Sequence, residues 1–77
     1  MKTYIGIAGS EIHSDGWLGC LYWSQSQVDN GVDVVKIHVA RPDVKTMRVV
    51  AEITCDGVRL IQDGRHVPLR AVKNRYG

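Results

Sequence analysis

The segment SEIHSD, residues 10–15, places Ser10, Glu11, His13, Ser14 and Asp15 close together. These are the residue types from which a nucleophile, its base and an orienting acid are made. Nearness along the chain does not supply the geometry, and no Gly-x-Ser-x-Gly strand-to-helix turn accompanies them. Polar residues between two apolar runs read as a loop, so no catalytic residue is assigned and the chain reads as a non-enzyme. His13, His38 and His66 with Cys20 and Cys55 could in principle ligate a metal, but no Cys-x-x-Cys or His-x-x-x-His spacing occurs, and neither a metal nor another cofactor is expected. Gly6, Gly9 and Gly16 match neither a dinucleotide fingerprint nor a phosphate loop.

With chemistry excluded, two surfaces stand out. The first is GWLGCLYWSQSQ, residues 16–27, which holds three of the five aromatic side chains in a chain without phenylalanine. Taken as a strand, it sets Trp17, Gly19, Leu21 and Trp23 on one side and Leu18, Cys20 and Tyr22 on the other. Both sides are apolar, and so small a domain has difficulty burying a strand twice. The expectation is that Leu18, Cys20 and Tyr22 enter the core while Trp17, Leu21 and Trp23 meet a partner. The faces could be exchanged, or the two Trp could cap the open end of a barrel.

The second surface is basic. Residues 1–40 carry two Lys/Arg against four Asp/Glu, and residues 41–77 carry eight against four. Arg48, Arg59, His66, Arg70, Lys73 and Arg75 could contact phosphates or an acidic protein surface. On an unbroken pleat Arg48, Glu52 and Thr54 share a face with Arg59, His66 and Arg70.

The elements that must position these residues are short. Asp56-Gly57 and Asp63-Gly64 each separate β-branched, apolar runs, as type I′ hairpin turns do. Two-residue turns there pair Cys55 with Val58, Ile53 with Leu60, Leu60 with Val67 and Val58 with Leu69. A C-terminal three-stranded meander results, whose buried face continues through Ala51, Val49 and Met47. Pro68 marks its last strand as an edge. KTYIGIA and DVVKIHVA read as further strands, and QSQVDNG as a polar connector. About six short strands in one domain, residues 1–77, predict an all-β antiparallel sheet or compact barrel; an α+β arrangement with a helix near 43–53 is the alternative.

YIGIAGS followed by GWLGCLYW is similar to the first hairpin of RNase H-like nucleases of the Holliday-junction resolvase kind. In that family a metal-binding aspartate follows the IGI segment; the position here is Ala8, so the resemblance implies an inactive relative.

No apolar run reaches the ~20 residues that span a bilayer, and no signal peptide or anchor is read. The two cysteines are then expected as buried, reduced thiols in the cytoplasm. Two functions fit. One is a small protein that occupies the surface of a protein or ribonucleoprotein, as a phage- or plasmid-type inhibitor of a host defence system such as an anti-CRISPR does, with a second copy of itself as another possible partner. The other is a basic-faced, nucleic-acid-binding β module.

Overall fold

In a computed structural model, residues 3–40, 46–64 and 66–68 are described, the last three by their backbone. β1 (Thr3–Ala8) turns at Gly9, whose φ of 62° suits glycine, and returns as β2 (Glu11–Asp15). β3 (Val35–Ala40), β4 (Thr46–Thr54), β5 (Gly57–Leu60) and β6 (His66–Pro68) complete a six-stranded sheet. Its order is β2-β1-β3-β4-β5, with every pairing antiparallel, and β6 pairs with β4. The small antiparallel β domain expected from the sequence is therefore present, joined by one helix.

That helix, α1, runs from Trp17 to Asp29 and overturns the reading of GWLGCLYW as a strand. The segment has no β-branched residue before Val28, so little opposes helical χ1 rotamers. The supposed QSQVDNG connector is the last part of this helix and its stop. Gly31, at φ 104°, ends it, and the Val32 and Gly31 N–H groups donate to the Gln27 and Val28 carbonyls at 3.0 Å each, as in a Schellman cap. Trp17, Cys20, Leu21, Ser24 and Val28 recur at helical spacing, and this stripe lies on the sheet. Cys20 and Ser24 are fully buried, whereas Leu18 and Tyr22, expected in the core, are 64% and 75% exposed.

Cross-strand partners share a face. Under the helix lie Tyr4, Gly6 and Ala8 of β1, Val35, Ile37 and Val39 of β3, and Ala51 and Ile53 of β4. Ile37 and Ile53, essentially without exposure, each contribute about 1.5–3 kcal/mol by leaving water.

β4 shows the expected alternation, with Met47, Val49, Ala51 and Ile53 buried, but these residues do not share one face. Ile37 pairs with Ala51 and His38 with Val49, so Val50 is one residue too many for the ladder. Such a bulge turns the pleat over. Ala51 and Ile53 join the core under the helix, while Met47 and Val49 lie on the far face with His38.

Residues 46–54 form a strand, so the helix near 43–53 does not form there. The hairpin after it is shifted by two residues from the expected register: Ile53 pairs with Val58, Ala51 with Leu60 and Thr54 with Gly57. The turn residues are Cys55 and Asp56. No non-glycine residue among those described has positive φ, while Gly57 has φ 122°. Asp56 thus avoids the conformation a type I′ turn requires, and its N–H donates to Thr54 Oγ1 at 3.2 Å. Because the slip is an even number of residues, Val58 and Leu60 keep the predicted face. They are not buried on it, being 52% and 68% exposed.

The meander is also corrected. β6 lies beside β4, pairing Met47 with Val67 and Arg48 with His66, and does not extend the sheet beyond β5. β4 is nine residues long and β5 only four, so half of the β4 edge is left for β6. The chain reaches it by passing Gly64 against β4, where a Cβ would stand 1.6 Å from the Val49 carbonyl oxygen. Leu69, the predicted partner of Val58, lies outside the described residues.

Candidate partner-binding surface

α1 covers β1, β2 and β3 and part of β4. Trp23 lies on the β2 side. Its indole stacks on His13, with centroids 5.3 Å apart and planes at 13°, and rests on Gly6, where a Cβ would stand 2.8 Å from the ring. Trp17 lies nearer β4, tilted against Tyr4 at 5.2 Å. Both Trp residues and Leu21 are partly buried against the core.

At about 100° per residue, Leu18 stands about 140° around the helix from Trp23, on the flank toward β4 and β5. Tyr22 lies on the crest. Across from that flank Val58 and Leu60 project from β5 on the same side of the sheet. Between them runs an open groove of ≈ 330 Å³ lined by Tyr4, Trp17, Val39, Arg48, Val50 and Leu60. The exposed apolar residues Leu18, Tyr22, Val58 and Leu60 were not recognised as surface in the sequence. The helical spacing of Trp17, Leu21, Ser24 and Val28 was the signal that could have placed the first two.

Among the described residues, Arg48 is the one cation lining the groove. Its Nη1 donates to the Gln62 carbonyl at 2.9 Å. The route crosses Gly64, where a Cβ would lie 3.1 Å from Arg48 Cγ. The bulge at Val50 brings Arg48 here, opposite Val39 and on the helix side, while Arg59 pairs with Glu52 on the far face. The basic face read from an unbroken pleat is thus divided. Arg59 Nη2 also lies 2.9 Å from Glu52 Oε2, which offsets its charge locally. His66 is described by its backbone alone, and Arg70, Lys73 and Arg75 lie outside the described residues.

SEIHSD becomes the second half of the turn and β2, so it is not a free loop. His13 Nε2 lies 3.1 Å from Asp15 Oδ2. The Asp15 carboxyl is held below its usual range, first by the Gly16 N–H at 2.7 Å and then by His13. Gly19 makes room for it, since a Cβ there would be 2.0 Å from Asp15 Oδ2. Ser14 alternates with His13 along β2 and faces away from it. Cys20 is buried beneath the helix with Sγ 3.4 Å from the Tyr4 carbonyl, and burial pushes its thiol up, the opposite of what a nucleophilic thiolate needs. Cys55, expected to be buried, is exposed in the β4–β5 turn; both thiols are free. Among the described residues, no three His, Cys, Asp or Glu side chains converge as metal ligands. None of the helices described is long and apolar enough to cross a membrane.

The resolvase-like hairpin also takes another form: β1 pairs with EIHSD, and GWLGCLYW is the helix that follows. No known protein family, curated protein or solved structure matches the chain.

Proposed function

We propose that this protein is a small non-enzymatic binder that acts by occupying the surface of a protein or ribonucleoprotein partner. The observation that carries the reading is the open groove over Trp17 with Leu60 exposed at its wall, while Leu18, Tyr22 and Val58 are left exposed on the helix and on β5. Contiguous apolar surface rimmed by polar residues is typical of a protein-binding site, and Trp, Tyr and Arg are the side chains that dominate such contacts. Trp17 lines the groove and Leu21 packs against the core; Trp23 serves chiefly to pack α1 on β1 and β2. Occupancy without turnover suits a phage- or plasmid-type inhibitor of a host defence system such as an anti-CRISPR, and that class belongs to the proposal. Two free thiols are in keeping with the cytoplasm.

The nucleic-acid reading has less support, because Arg48 and Arg59 lie on opposite faces and Arg59 is paired with Glu52. Capture from a lysate, with and without nuclease, separates the two. The expected result is nuclease-resistant capture that survives salt and is lost in the Leu18→Asp/Tyr22→Asp variant. Loss on nuclease treatment, or a steep fall with salt as counterion release demands, would overturn the reading. A shift in sedimentation to a dimer, abolished by the same variant, would identify the partner as a second copy.

A further inference from the structure

We infer that the sheet edge bordering the groove takes an extended segment of a partner protein, added as a strand to the outer edge of β5 and carrying a carboxylate for Arg48. The inference rests on the binding role proposed above and specifies its chemistry. Ile61 N–H donates to the Val50 carbonyl at 2.9 Å, so the backbone groups of Ile61, and by alternation those of Arg59 and Gly57, point toward β4. Those of Val58 and Leu60 therefore point outward. Among the described residues no strand lies on that edge, which leaves two N–H and two C=O groups in line for an incoming backbone.

The side-chain environment beside this edge is selective. On the helix side an added strand would set every second residue beside Val58 and Leu60, about 4.8 Å away. Both are apolar and exposed, and Arg48 reaches as far as the Gln62 carbonyl just beyond the end of β5. One of its five guanidinium donors is used there, and the planar group keeps others for a carboxylate. The complementary segment thus carries two apolar residues and an acidic one at alternate positions. The chain's own C-terminal residues Arg70, Lys73 and Arg75 have the wrong sign for this role.

The probe is the capped peptide Ac-Ser-Glu-Ser-Val-Ser-Leu-Ser-NH2, titrated into the full chain with 15N amide shifts and tryptophan fluorescence as readouts. Saturable binding is expected to move the Val58 and Leu60 amides and to alter Trp17 emission. Lysine in place of the glutamate, or Arg48→Gln in the protein, should weaken binding at least about tenfold, the scale of one charge-assisted hydrogen bond. N-methylation of the peptide's edge-facing amides should abolish it. Should Arg48→Gln fail to fold, the lysine peptide on the unchanged protein gives the same comparison. Absence of saturable shifts at Val58 and Leu60 at millimolar peptide, or equal affinity for the lysine peptide, would overturn the inference. If nuclease-resistant capture by the Leu18 and Tyr22 surface persists in that event, the proposed function stands and only the strand-addition mode falls.

Discussion

The Trp23 indole lies across Gly6, filling the place where any other residue would put its Cβ, 2.8 Å from the ring. The same ring is stacked on His13 on its way over β2, so it has little freedom to withdraw. Gly6→Ala should therefore cost about 1–3 kcal/mol by overpacking, read as a lower denaturant midpoint. Combining it with Trp23→Leu should be less destabilising than the sum of the two changes; strict additivity would show that the close approach is not what Gly6 serves.

Leu60 and Ile53 make a second comparison. Ile53→Ala empties a core site and should cost about 2–5 kcal/mol. Leu60, 68% exposed, should cost less than about 1 kcal/mol on truncation, within the usual range for surface changes. Equal losses in urea unfolding would mean that β5 is covered.

His38 is buried on the far face, 4% exposed, with Nδ1 3.4 Å from the Ile5 carbonyl oxygen. Burial holds its pKa below the ordinary 6.5. The unfolded chain then takes up this proton first, so the neutral folded form is fully favoured above that pH, and stability falls as pH drops from 6.5 toward the folded value. Unfolding free energies of the parent and His38→Gln, measured from pH 7.5 to 5, should diverge in slope by up to about 1.4 kcal/mol per pH unit. Parallel curves would rule out a buried neutral imidazole.

The two cysteines should differ in reactivity. In the folded protein at pH 8, Cys55 should be alkylated readily, while Cys20, fully buried and with its thiol pushed up, should react only at the rate of unfolding. Peptide mapping by mass spectrometry distinguishes them, and early labelling of Cys20 would contradict the packing of α1.

The sheet was legible in the sequence because period-two burial is a local pattern: β1, β3 and β4 follow from the alternation of YIGIA, VKIHVA and MRVVAEI. The helix was hidden because Trp, Tyr and Leu satisfy either period, and Ser24, fully buried, interrupts the apolar stripe where it meets Gly6. The hairpin partners were misjudged by two residues because Asp-Gly can supply one positive φ as well as two, and only Gly57 takes it. The groove could not be read at all. It depends on Val50 being surplus to the β3–β4 ladder, and nothing in VVAEI marks which residue is the extra one.

That surplus residue makes one position of β4 a spacer. With Val50 deleted, Val49 would join Ala51 directly and still pair with His38, so Arg48 would keep its place opposite Val39 on the helix side. The carbonyl that accepts from the Ile61 N–H would be lost. Losing this codon would thus leave the faces of β4 as they are and act instead on the β5 side, where the chain leaves the hairpin.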